Sequence, residues 1–157
     1  MRNYMKLCLL ALTILSLSSC NSKKGMKDLT LKTSTEEFVV FMEDSNTNIM
    51  EQTTMIISSQ KELETFFTVF NATKNPKVDL PIVDFKNQSV LVAGMGQKSS
   101  GGYSFQEPEV VNKKTKTYNF KVISPGPKDL VTMSLTTPGM IVIANQPAEK
   151  VKINLVD

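Results

Sequence analysis

The chain of 157 residues has no histidine and no tryptophan, only two cysteines, and aromatic residues at 7% of its length. Histidine is the usual general base, the usual partner of a Ser or Cys nucleophile and the commonest metal ligand. Its absence excludes Ser-His-Asp and Cys-His catalysis and every imidazole-ligated zinc or iron site. What remains is ordinary for a globular chain, 41% hydrophobic and 21% charged, and the length suits one domain. Neither a large multidomain enzyme nor a fully disordered protein is expected.

Both cysteines lie near the start. Arg2 and Lys6 precede an apolar run over residues 7–17, the charged and hydrophobic regions of a secretory signal. The run falls short of the about 20 apolar residues that a spanning helix needs. It ends in Leu17-Ser18-Ser19-Cys20, the pattern of a bacterial lipobox. Residues 1–19 are therefore expected to be a lipoprotein signal peptide, cleaved after Ser19, with Cys20 lipidated. Several acyl chains anchor firmly, because each buried CH₂ contributes about 0.8 kcal/mol. Cys8 leaves with the signal, so the mature chain has no cysteine left for a disulfide or a thiolate site. Arg2 and Lys6 leave too, and the 18 basic and 15 acidic residues of the whole chain come nearly into balance. With dispersed charges and little net charge, no nucleic-acid partner is expected. Residues 20–35 read as lipid anchor and polar tether, and residues 36–157 as a single β-rich domain.

Within that domain the periodicity gives one helix and many strands. Ser59-Gln60-Lys61-Glu62 is a capping box, and Leu63, Phe66, Phe67 and Phe70 follow at the spacing of one helical face, so a packed helix is expected near 60–71. Strands are expected at 36–43, 49–58, 89–96, 103–112, 117–124, 130–135, 140–144 and 151–156. The segment 89–96 is apolar on both faces, as in a central strand, and Pro108 marks an edge or bulge in 103–112. The fold class is α+β: a mostly antiparallel β-sheet or sandwich of about seven to eight strands with one packed helix. Antiparallel pairing is favoured because the connections after Ser89 are too short for crossover helices.

Catalytic constellations fail one by one. The glycine-containing segment 94–103 is no phosphate loop, because Lys98 precedes the glycine pair and a strand follows it. Glu107 and Glu109 sit two apart on the expected strand, about 7 Å between side chains, a spacing that any charged strand face shares. Lys98 beside Ser99 and Ser100 lacks the buried surroundings that a Ser-Lys dyad requires. Asp79 and Asp84 read as turn caps rather than Ca²⁺ ligands. No catalytic residue, metal or cofactor is expected.

An ordered set of elements stands out in the C-terminal half: Val83-Asp84-Phe85, an apolar strand, Gly96-x-Lys98-x-x-Gly101-Gly102-Tyr103, a proline, then Thr137-Pro138. This order resembles the C-terminal domain of the PrcB family, named for an accessory subunit of a lipoprotein-associated surface protease complex. The resemblance runs over about residues 55–155. It departs from the family at Ser100, where a Thr is usual, and at Met133 and Ser134, where a Gln is often found. The resemblance implies a small non-catalytic envelope module, often lipid-anchored, that assembles with or stabilises a protein partner such as a protease. Lys98, Ser100, Gly101, Gly102, Tyr103, Thr137 and Pro138 form the candidate binding loop. Recognition and simple turn geometry both account for the glycine pair. An alternative is a protease-inhibitor-like module presenting loops 98–103 and 136–140. The expected location is the cell envelope, on a bacterial membrane, the outer one, at its periplasmic or surface face.

Overall fold

The computed structural model describes residues 37–112 and 114–156. The expected signal peptide, Cys20 and the whole tether lie outside the described residues. Within them the order is β1 (Phe38–Asp44), β2 (Gln52–Ile57), α1 (Gln60–Phe70), β3 (Ser89–Met95), β4 (Ser104–Phe105), β5 (Glu109–Val111), β6 (Lys116–Ile123), β7 (Gly139–Ala144) and β8 (Val151–Val156). This is the expected α+β, antiparallel-rich architecture.

Helix α1 begins where its cap is written. The Ser59 hydroxyl accepts from the Glu62 amide at 3.3 Å. The Glu62 carboxylate reaches one residue further back than a capping box requires, accepting from the Ser58 amide at 2.8 Å and its hydroxyl at 3.0 Å. Leu63, Phe66, Phe67 and Phe70 are all buried, each contributing roughly 2 kcal/mol. Asn71 ends the helix, and its side chain both donates to and accepts from the backbone of Val78 at 2.9 Å, fixing the return loop.

The main sheet has the order β1-β7-β3-β2, and every pair in it is antiparallel. Both of its faces are covered. Val90, Val92 and Ile141 face the core under α1, while Leu91, Ala93, Met95, Met140, Val142 and Ala144 face a second core with Phe105, Tyr118 and Phe120. That two-sided burial is why β3 is apolar throughout rather than alternating.

The second sheet has β6 at its centre. β4 and β5 line one side of β6, split at Pro108, and β8 lies on the other. The expected single strand 103–112 is thus two short ones, since proline cannot donate to the ladder. Glu107 falls in the break, outside both strands, so the expected Glu107/Glu109 strand face does not form. β6 and β8 are parallel, Tyr118 opposite Ile153, an exception to antiparallel pairing. The chain passes through β7 in the other sheet between them, so no crossover helix is needed. Residues 130–135, expected as a strand, form no regular strand.

These directions give the domain two ends. The described chain enters at Phe38, and Ile57, Ser89, Ala144 and Val151 share that end. The far end holds Asp44, Gln52, Met95, Ile123 and Gly139, together with the loops 45–51, 96–103 and 124–138. Among the described residues no helix is long and apolar enough to cross a membrane.

Candidate functional site

At the far end the two central strands run on past the sheet. The Met95 amide donates to the Pro138 carbonyl at 2.9 Å, Lys98 and Thr136 exchange backbone bonds at 2.8 and 3.0 Å, and the Gly101 amide donates to the Thr132 carbonyl at 3.0 Å. The Thr136 hydroxyl adds a bond to the Ser100 carbonyl at 2.8 Å. Residues 95–101 and 132–138 therefore make an irregular two-stranded arm, held at its base by the β3–β7 ladder.

The glycine pair is the seat of this arm. A Cβ on Gly101 would stand 2.4 Å from the Thr132 hydroxyl oxygen. One on Gly102 would stand 2.6 Å from Val131 Cγ1, and the backbone there has φ +86°, a region side-chain-bearing residues avoid. Tyr103 is half-buried, its ring packed on the core between the sheets, with the Lys98 ammonium 5.3 Å from the ring centroid. That is cation–π range.

Thr137 and Pro138 sit in the interior. Thr137 donates to the Ser45 carbonyl at 2.8 Å and accepts from the Thr47 amide at 2.9 Å, and its hydroxyl accepts from the Asn48 amide at 3.0 Å. Residues 136–140 are all buried, so no loop protrudes there for the inhibitor-like alternative. The structure thus brings Lys98, Ser100, Gly101, Gly102 and Tyr103 together on one surface and places Thr137-Pro138 beneath it as support.

Large apolar side chains exposed at this end were not among the sequence candidates. Leu130 is fully exposed, Met133 is 92% exposed and Leu135 68%. Their run, Leu-Val-Thr-Met-Ser-Leu, reads as a strand in sequence. The available signal was its uncharged stretch between Pro127-Lys128-Asp129 and Pro138. Asn48 was also missed: at φ 61° its side-chain amide donates to the Val69 and Phe70 carbonyls at 3.1 and 3.0 Å, capping α1 from outside. Lys74 ties the same corner, bonding Asp44 at 2.7 Å.

Elsewhere, Asp84 caps a turn as expected. It accepts from the Asn87 side chain at 2.8 Å and the Lys86 amide at 3.1 Å, and these bonds, Asn87 first, hold its carboxyl below the usual range. Among the described residues no three His, Cys, Asp or Glu side chains converge as metal ligands. An apolar groove of about 710 Å³ runs between α1 and β2, lined by Ile49, Met55, Phe66 and Val69.

Residues 89–144 match the family model described as PrcB C-terminal. This segment is similar to the PrcB C-terminal domain. The match begins and ends on the partnered residues Ser89 and Ala144, so the matched stretch runs from β3 to β7 and includes the whole arm. It is narrower than the 55–155 span of the sequence resemblance, and leaves α1, β2 and β8 outside. No curated protein and no solved structure matches the chain.

Proposed function

We propose that this protein is a non-catalytic cell-envelope lipoprotein, lipidated at Cys20 after removal of residues 1–19. Its PrcB-type domain serves as a protein-binding accessory module, in keeping with a protease complex as partner. The observation that carries this reading is the position of the arm: its exposed Leu130, Met133 and Leu135 lie at the end opposite the one where the described chain enters. The polar tether expected over residues 20–35 gives the domain reach, at the outer membrane's periplasmic or surface face. Exposed apolar side chains clustered on one small surface favour a protein contact, and the lipobox motif and the PrcB match support the setting.

Two experiments test it. Affinity capture of the tagged full-length protein from detergent-solubilised envelopes should recover a stoichiometric protein partner, and recovery of none, with or without crosslinking, defeats the accessory role. Metabolic labelling with a palmitate analogue should mark the wild type and not Cys20→Ala. Label persisting in that variant removes the lipid anchor from the account.

A further inference from the structure

Resting on the protein-binding reading above, we propose that the 45–48 loop sets the 98–103 surface in the one conformation that a protein partner reads. Asn48 and Thr137 are its positioning residues, acting on the partner contact without being exposed to it. Polar side chains are scarce in the interior of the domain and unevenly placed. Among the described residues, Thr47, Thr136 and Thr137 are three of the five buried polar ones, and all three lie where the arm meets the 45–48 loop. Apolar isosteres at such positions cost a fold little, whereas satisfied hydroxyls select a single arrangement. Thr137 is bonded to the loop through each of its polar groups. Its amide donates to the Ser45 carbonyl at 2.8 Å, its carbonyl accepts from the Thr47 amide at 2.9 Å and the Thr47 hydroxyl at 2.6 Å, and its hydroxyl accepts from the Asn48 amide at 3.0 Å. Gly139 makes the room for this, since a Cβ there would stand 2.8 Å from Thr47 Cγ2.

Asn48 carries the loop to the helix. Its φ of 61° lies in a region that Asn and Gly tolerate. Its side-chain amide donates to the Val69 and Phe70 carbonyls, which a helix end leaves without intrahelical partners, and its side-chain oxygen accepts from the Thr73 hydroxyl at 3.1 Å. Capping alone does not account for these bonds, because the Asn71 amide already closes α1 by donating to the Phe67 and Val69 carbonyls. What Asn48 adds is a link between the helix and a loop more than 20 residues upstream. On the arm's side, Thr136 exchanges backbone bonds with Lys98 and donates its hydroxyl to the Ser100 carbonyl. Hydrogen bonds thus run without a break from the end of α1, through Asn48, Thr137 and Thr136, to the backbone that carries Lys98 and the glycine pair. The outer stretch of the arm buries little, with Leu130, Met133 and Leu135 exposed, so its setting rests on the bonds at its base.

Hydrogen exchange of the purified full-length protein in detergent, read by mass spectrometry on peptides covering 95–101, 132–138 and β6, tests the setting. Thr137→Val keeps the shape of the buried side chain and removes the acceptor of the Asn48 amide, while Thr137→Ser keeps that acceptor. Thr137→Val should exchange about tenfold faster over 95–101 and 132–138, with β6 unchanged, and Thr137→Ser should stay near wild type. Should Thr137→Val not fold, Asn48→Gly, which retains the positive φ and deletes the link to α1, carries the same readout. Affinity capture from detergent-solubilised envelopes should recover about tenfold less partner with Thr137→Val, in step with the smaller share of molecules in the competent setting, and undiminished partner with Thr137→Ser. Exchange that stays at the wild-type rate, or rises equally in β6, overturns the proposal, the latter by showing that the whole fold has loosened. Selective exchange with undiminished capture overturns it too, because the setting then does not serve binding. If the wild type captures no partner, the protein-binding reading fails and the role in binding falls with it, whatever the exchange rates.

Discussion

Tyr118 concentrates several roles in one side chain. Its ring is fully buried and packs edge-on to Phe38 at 5.9 Å, and its hydroxyl donates to the Glu37 carbonyl at 3.2 Å. Burial, with a smaller contribution from the Glu37 carboxylate, pushes its pKa from 10.0 up to about 12. The folded state thus favours the neutral phenol, so this contribution is complete below pH 10 and is lost as pH rises toward 12. Denaturant titrations should show wild type losing roughly 3 kcal/mol more than Tyr118→Phe across that interval. At neutral pH the same variant should cost about 1 kcal/mol for the lost hydrogen bond. Identical alkaline profiles would remove Tyr118 from the account. Gly102 makes the opposite demand, for no side chain at all. Gly102→Ala meets both a φ of +86° and a 2.6 Å contact with Val131, and should destabilise by about 1–3 kcal/mol, read as a lower thermal midpoint.

Among the elements, α1 was the most legible in sequence, because a cap and an apolar stripe agreed. Ser59→Ala should cost about 1 kcal/mol, and Phe67→Ala, which empties the middle of the Phe41, Phe66 and Phe70 cluster, about 3–5 kcal/mol, both measured by chemical denaturation. The Glu62 carboxyl is held below its ordinary range chiefly by the Ser58 amide, then by the Ser58 hydroxyl. Its contribution is therefore present above that range and fades as pH falls through it, and Glu62→Gln should flatten this part of the acid dependence. β3, β6, β7 and β8 were legible from apolar runs and alternation. The 130–135 segment was misread because an apolar run signals burial only if a partner covers it, and the partner of these residues is a glycine turn that pairs one edge alone. Likewise the glycine pair and Thr137-Pro138 stand out in sequence as a candidate, but which of them faces outward depends on contacts with residues 45–48 and 131–132, pairings far apart in the chain that no local pattern encodes.

At the scale of the whole molecule, the two cores share β3 and β7, whose successive side chains enter one core and then the other. Neither core persists without the sheet between them. Phe67→Ala and Phe120→Ala, on opposite faces, should lower one common thermal transition in the soluble Cys20→Ser chain, and calorimetry resolving two separate transitions would contradict a shared sheet. The parallel pairing of β6 with β8 has a further consequence, for timing. β8 is the last of the described strands, and it completes β6 only after β7 has been laid into the other sheet. The central strand of the second sheet therefore stays open along one side until residues 151–156 are free. During synthesis the domain cannot close vectorially from its N-terminus, so its exposure to proteases and chaperones lasts until residues 151–156 emerge.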